Sequence, residues 1–412
     1  MRRQKDRRQM PADDFTSRIG EKACKSKVDP VGKFTILTSK TILAELPIDA
    51  IYHHNFPMKI LKILCFQLKC IGDLLLTTPA LVALARAYPE AEIHVAVDKA
   101  FSSLFPCLPV HRIHPLRGGG GSVWMDLLRE QYDVCLDFNS SDRSAFASFL
   151  INSPLKITYS QFALRPFRKK IYNVFVSSVP SQRHTADFHA DLLTPLGIQC
   201  EDTSLSIRLP VGVLREADAL LEKLHVASPF VIVHPGTLRR EKYWFNERWL
   251  AVIRHFREYH GLPVLLTGSS SYRERKHLKG LTACKGVHWH DLTGKLNLSQ
   301  FAALISRARL LCGVDSAPIH LADAFSVPCV ALFGPTNPFQ WRPRNPHSRT
   351  LTPRSTGSHC PQDQVGAMED ISADMVISAI DGMLTNISVT SHALKIARPA
   401  TNSDSTALLD PQ

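Results

Sequence analysis

Short apolar runs of strand length alternate with helical patterns along most of this chain, and they do so twice. Strand-like runs fall at 60–66, 92–97, 133–138 and 155–159, then again at 230–234, 263–267, 309–313 and 328–333. Helical patterns accompany them at 74–88, 142–151, 185–196, 211–225, 246–260, 272–284, 298–308, 317–325 and 372–384. Repeated strand–helix units predict parallel sheets covered by helices on both faces. A break near 205–228 separates the two series, and 412 residues exceed what one ordinary core organises. The expected architecture is therefore α/β, with two doubly wound domains facing a cleft and ligands at the carboxyl ends of the strands.

The ends of the chain read differently. Met1-Arg-Arg-Gln-Lys-Asp-Arg-Arg opens a segment without periodicity, and at Met58 the text changes to Lys-Ile-Leu-Lys-Ile-Leu-Cys-Phe, a buried-strand pattern. The reading is a basic, disordered extension over 1–57, with Met58 as a candidate translation start. Domains are expected over 58–210 and 211–385, and a Ser/Thr/Asn/Ala-rich disordered tail over 386–412. The apolar stretch from Ile60 to Leu76 is interrupted by Lys62, Lys69 and Asp73, so it is not a membrane span. The ten cysteines are scattered without a C-x-x-C pair, several inside strand candidates, as reduced thiols of a cytoplasmic protein would be. A formal charge of +12 suits anionic partners such as phosphorylated substrates or acidic lipid, although a solvated basic surface would look the same.

Four segments could carry chemistry. In Gln67-Leu-Lys-Cys-Ile-Gly-Asp-Leu-Leu-Leu-Thr-Thr-Pro79 a strand ends, Gly72 turns, and Asp73 sits where the first helix begins, with Pro79 in its early turns. A carboxylate at the mouth of a cleft can accept a proton from a substrate hydroxyl, or it can simply cap its helix. After the strand at 230–234, His234-Pro-Gly-Thr-Leu-Arg-Arg-Glu-Lys242 is a glycine-containing cationic loop that could hold a diphosphate, or an exposed basic loop. In Cys312-Gly-Val-Asp-Ser-Ala-Pro-Ile-His320, Ser316 is placed to N-cap a helix with Pro318 in its first turn, and such a helix start binds phosphate. Phe333-Gly-Pro-Thr-Asn-Pro338 reads as a rigid pocket-lining loop.

Several patterns are missing. No G-x-G-x-x-G opens a helix and no P-loop motif occurs, which argues against a dinucleotide oxidoreductase or a P-loop nucleotidase. Gly118–Gly121 reads as a flexible loop. No D-x-D pair is present to hold a divalent metal, so no metal and no cofactor is expected, and leaving-group charge falls to Lys, Arg and helix dipoles.

In order and spacing these segments resemble glycosyltransferase family 9, the heptosyltransferases of GT-B fold, over about 59–385. The resemblance rests on Ile71-Gly-Asp-Leu-Leu-Leu-Thr-Thr-Pro79, Tyr88-Pro-Glu-Ala-Glu-Ile93, His234-Pro-Gly236 with Lys242 and Trp244, and Asp291-Leu-Thr-Gly-Lys295. Its most specific part is Gly313-Val-Asp-Ser-Ala-Pro-Ile-His-Leu-Ala-Asp-Ala324 leading into Ala331-Leu-Phe-Gly-Pro-Thr-Asn-Pro338. Thr194-Pro-Leu-Gly197 and Trp341-Arg-Pro343 look most like the third, branch-adding type of lipopolysaccharide heptosyltransferase.

The resemblance implies two Rossmann-like domains and an inverting transfer of heptose from ADP-L-glycero-β-D-manno-heptose to the inner core of lipopolysaccharide. The C-terminal domain would hold the donor and the N-terminal domain the acceptor. Asp73 matches the catalytic base, and Lys242 the lysine on the donor phosphates. Asp315 matches the donor-sugar residue, while Thr237, Ser316, Ala317 and His320 fall on phosphate-binding turns. Glu274 is the candidate for the adenosine ribose. The chain departs from the family pattern at Gln67, Lys69 and Cys70, where many members carry an arginine and small hydroxyl residues. Lys156, Arg168, Lys169 and Lys170, interleaved with aromatics, are assigned to the phosphates of a lipid-linked acceptor or an anionic face of the inner membrane, with a solvated helix or loop as the alternative. A GT-B transferase or epimerase for another nucleotide sugar is the competing enzyme reading. A nucleic-acid binder is disfavoured, because outside 156–175 no basic and aromatic residues cluster.

Overall fold

The computed structural model describes residues 59–396, apart from 119, 285, 354–358 and 364. The expected extension over 1–57 and the end of the tail, 397–412, lie outside the described residues.

The first half contains β1 (Lys62–Gln67), α1 (Ile71–Ala87), β2 (Glu92–Asp98), β3 (Arg112–Arg117), α2 (Gly120–Arg129), β4 (Val134–Asp137), α3 (Asp142–Leu150), β5 (Leu155–Tyr159), α4 (Pro166–Lys169), β6 (Val174–Val176) and α5 (Thr185–Asp191). The second contains α6 (Val211–Lys223), β7 (Val231–His234), α7 (Asn246–Arg254), β8 (Val264–Leu266), α8 (Tyr272–Thr282), β9 (His290–Asp291), α9 (Leu298–Arg307), β10 (Leu310–Val314), α10 (Ala317–Ala324), β11 (Cys329–Leu332), α11 (Pro338–Trp341), β12 (Arg349–Leu351) and α12 (Ala373–Ile396). All pairings within the two sheets are parallel.

The strand orders are β3-β2-β1-β4-β5-β6 and β12-β11-β10-β7-β8-β9. Read from its own first strand, the second sheet follows the same winding as the first. Each sheet therefore reverses direction between its first and fourth strands, β1/β4 and β7/β10, which is where a doubly wound sheet opens a crevice. The central strands are apolar on both faces because helices cover both: Ile63 to Phe66 and Leu310 to Cys312 are fully buried.

Helix α1 joins the halves. It packs on α5 of its own domain and on α10 of the other, and Leu76, Ala186 and Leu205 form a small cluster against which Ala324 and Trp341 pack. The segment after β11 completes the hinge side. His184 Nε2 donates to Arg342 O (2.9 Å), Gln340 Nε2 donates to Pro180 O (2.9 Å), and Arg344 pairs with Asp187.

Three local readings are corrected. Pro79 is not in the early turns, because α1 begins at Ile71 and the proline lies in its interior. The ring removes the N–H that would bond Leu75 O, and Thr78 Oγ1 donates to that carbonyl instead (2.7 Å). Gly120 and Gly121 are not loop but the start of α2, and Gly118 and Gly120 take positive φ (85° and 79°). Helix α12 continues to Ile396, past the point near Leu384 where composition suggests disorder.

Candidate functional site

Asp73 lies in the first turn of α1, at the carboxyl end of β1. Burial pushes its carboxyl above the ordinary range, and the charge of Lys69 opposes that shift. The turn around it is held by a polar network. Gln67 Nε2 donates to Thr77 Oγ1 (2.8 Å), and Thr77 Oγ1 donates to Asp73 O (2.7 Å). Asn139 Nδ2 donates to Gln67 Oε1, while Asn139 Oδ1 accepts from Leu68 N. Asn139 is fixed in turn by Asp137, whose Oδ1 accepts from the backbone N–H of Asn139 and of Ser140 (2.9 Å each). Asp137 Oδ2 accepts from the Tyr172 hydroxyl. Both sides of the β1/β4 switch point are thus tied to the Asp73 turn.

Asn139, Asp137 and Tyr172 escape the sequence reading. The available signal is Asp137-Phe-Asn-Ser-Ser141, a cluster of turn-forming polar residues directly after a buried strand.

Across the gap, Lys242 Nζ contacts Asp315 Oδ2 (2.6 Å) and Asp315 O (3.3 Å), with side chains only 12% and 7% exposed. Ser316 occupies the N-cap position of α10, but its hydroxyl does not cap: it donates to Gly236 O and Val314 O (3.2 Å each). Ser316 is thus the N-cap by position, while its hydroxyl braces the loop after β7 against the loop after β10. Ala317 and Pro318 follow as the first helical residues, as the motif predicts. His320 is buried and neutral at physiological pH, its pKa pushed down to about 4 by burial, and its Nδ1 has no hydrogen-bond partner among the described residues.

Thr237 is buried beside this loop and accepts from Arg239 N (3.4 Å). Glu274, 3% exposed, accepts from Ser269 N (2.5 Å) and Ser269 Oγ (2.8 Å). A Cβ on Gly236 would stand 2.0 Å from Glu274 Oε1, so only glycine lets the His234-Pro-Gly236 turn lie against this carboxylate.

The two sets of residues meet. A Cβ on Gly72 would be 3.2 Å from His320 Cδ2, which places the Asp73 turn directly against α10. His320 in turn lies close enough to feel the charges of Asp315 and Lys242. A cavity of about 760 Å³ opens beside this junction, lined by Lys69, Cys70, Ile71, Lys99 and Phe101 of the first half and Leu238 of the second.

The basic stretch fares unevenly. Arg168 is buried, donating to Ser140 O and to Asp142 Oδ1 (2.7 Å) and lying over the Phe162 ring. Lys156 Nζ donates to Ser148 O (2.7 Å). Both are held by internal partners, whereas Lys169 and Lys170 are exposed.

Two doubly wound domains wound alike, packed together through α1 and α10, are the architecture of the GT-B class of glycosyltransferase. Residues 121–365 match the model of glycosyltransferase family 9 (heptosyltransferase). The chain belongs to that family.

Among curated relatives, lipopolysaccharide heptosyltransferase 3 of Escherichia coli is 27% identical over 292 residues, 66% of this chain and 83% of the relative. Lipopolysaccharide heptosyltransferase 1 of Pseudomonas aeruginosa is 26% identical over 298 residues, covering 68% and 80%. The fold is that of the solved family 9 glycosyltransferase from Veillonella parvula (TM-score 0.67, 23% identity, 80% of this chain and 99% of that one). It is equally that of E. coli ADP-heptose lps heptosyltransferase II (TM-score 0.66, 19% identity, 80% and 100%).

Proposed function

We propose that this enzyme transfers heptose from ADP-L-glycero-β-D-manno-heptose to the inner core of lipopolysaccharide, with inversion at the anomeric carbon. The observation that carries the reading is the junction of Gly72 with His320, which sets the Asp73 turn against α10, whose His320 senses the charges of Asp315 and Lys242. The printed names of the relatives support the donor and acceptor class, and the two at 27% identity, both named heptosyltransferase 3, support a branch heptose as the product.

In the proposed chemistry Asp73 takes the proton of the acceptor hydroxyl as its oxygen attacks the anomeric carbon. A carboxylate whose burial disfavours its charge is a stronger base than an exposed one. The ADP departs on the opposite face, its diphosphate met by Lys242, Thr237 and the turn Ser316–Ala317 at the start of α10. Asp315, paired with Lys242, would turn to donor-sugar hydroxyls as the phosphates take up the lysine. His320 backs the turn as a neutral residue. Glu274, beside Gly236 at the carboxyl end of the sheet, would bind the ribose hydroxyls. The diphosphate is thus met by Lys242, Thr237 and backbone N–H groups, with no metal assigned to the transfer.

A cytoplasmic enzyme working on a lipid-linked acceptor needs contact with the inner membrane, and one face of the N-terminal domain suits it. Phe146, Phe149 and Leu150 share a face of α3 and are exposed, as are Leu164 and Phe167. The Phe149 and Phe167 rings lie 5.9 Å apart. Arg143, Lys169 and Lys170 are exposed beside them, giving the apolar-plus-cationic composition that anionic bilayers attract. Among the described residues no helix is long and apolar enough to cross a membrane.

The test is transfer from ADP-heptose to heptose-deficient lipopolysaccharide by the purified enzyme, with mass analysis of the product. Addition of one heptose supports the proposal; no transfer from ADP-heptose alongside turnover of another nucleotide sugar would overturn the donor assignment.

A further inference from the structure

Away from the cleft, three metal-ligating side chains converge. Helix α7 does not end cleanly: residues His255–Tyr259 continue it as a π-turn, closed by His260 N donating to His255 O (3.3 Å). A π-turn brings residues five apart onto one face, and here those residues are His255 and His260. Both point at Asp381 of α12. His255 Nε2 is 2.6 Å and His260 Nε2 is 2.7 Å from the same carboxylate oxygen, Oδ1. The ligand atoms all lie within 4.8 Å of one another, and the two imidazoles are nearly perpendicular (82°) with centroids 5.0 Å apart.

We propose that His255, His260 and Asp381 form a site for a divalent ion of the zinc class. Two imidazoles and one carboxylate are borderline nitrogen donors with one oxygen, a set that suits Zn²⁺ or Co²⁺ and suits Mg²⁺ or Ca²⁺ poorly. Two bonds of about 2.0–2.1 Å at the tetrahedral angle hold ligand atoms about 3.3–3.4 Å apart. To admit the ion, the nitrogens would move back from the oxygen by about 0.6–0.8 Å. The side chains are 17%, 17% and 40% exposed, so an ion has a route in and water can complete the fourth position.

Without the ion, both ring nitrogens turn an N–H toward the one oxygen; with it, each presents its Nε2 lone pair to the metal and carries its N–H on Nδ1. The site ties α12 to α7, so occupancy steadies the C-terminal helix on the second domain. It lies apart from the Asp73, Lys242 and Asp315 junction and implies no part in the transfer.

Tag-free, chelator-treated enzyme is titrated with CoCl₂ at neutral pH, followed by the visible d–d bands, then with ZnCl₂ by calorimetry. The expected result is one equivalent bound, bands of a tetrahedral nitrogen–oxygen site, and a rise in Tm with Zn²⁺. In His255→Gln and His260→Gln the affinity should fall at least tenfold, with circular dichroism reporting the fold. Absence of stoichiometric binding to the native enzyme overturns the proposal whatever the variants do. Equal binding in the double variant, placing the ion on other histidines, overturns it as well.

Discussion

Substitution of Gly236 by alanine tests the donor side of the cleft at a single atom. The added Cβ would stand 2.0 Å from Glu274 Oε1 and 2.4 Å from its Cδ, more than 1 Å inside ordinary contact. The carboxylate cannot yield freely, because Ser269 N and Ser269 Oγ hold it from the other side. Relief therefore means breaking those two bonds, each about 1.5–3 kcal/mol for a charged acceptor, with water recovering part of the loss. A net cost of about 2–4 kcal/mol follows, together with displacement of Glu274, the proposed ribose ligand. The assays are thermal unfolding and calorimetric ADP binding. Gly236→Ala should lower Tm and weaken ADP by at least tenfold. Gly236→Ala/Glu274→Ala should recover part of the Tm, since the obstacle is gone, yet leave ADP binding weak. Native stability in the single variant, or additive destabilisation in the double, would refute the reasoning.

Asp73→Asn should reduce turnover by about 10²–10⁴, the usual worth of a general base, with ADP affinity unchanged. The fold should be no less stable at neutral pH. The raised pKa of Asp73 means its stabilising, protonated form prevails at low pH and is lost as pH rises through the folded value. By the same shift, the acid limb of kcat/KM should lie above the ordinary aspartate value of about 3.9, activity failing as pH falls through it. Lys242→Met should cost about 3–5 kcal/mol in stability by stranding the buried Asp315 carboxylate, and Lys242→Met/Asp315→Asn should restore most of it without restoring transfer; unfolding curves decide. Phe149→Ser with Phe167→Ser should abolish flotation with anionic vesicles while leaving turnover on a delipidated acceptor unaltered.

The eight strands legible in the sequence are the eight interior ones, because burial on both faces writes a continuous apolar run. The four that are not, β3, β6, β9 and β12, are the four sheet edges. They are short or polar: Arg112–Arg117 carries two arginines and a proline, and His290–Asp291 is two residues long. At the site, the motif-bearing residues were readable because each sits just after a central strand. What escaped was the scaffold around them. The Asn139–Gln67–Thr77 network joins residues 72 positions apart, and no local pattern encodes such a contact. Lys156 and Arg168 show the opposite failure, since charge along the chain does not reveal which cations point inward.

The identical winding of the two sheets has an evolutionary consequence. The two sheets are separate structural blocks, so on the proposed reading the loops that meet the acceptor and those that grip the nucleotide can change independently. A lineage could then rewrite loops of the first sheet for a new glycan while the turns after β7, β8 and β10 stay as they are.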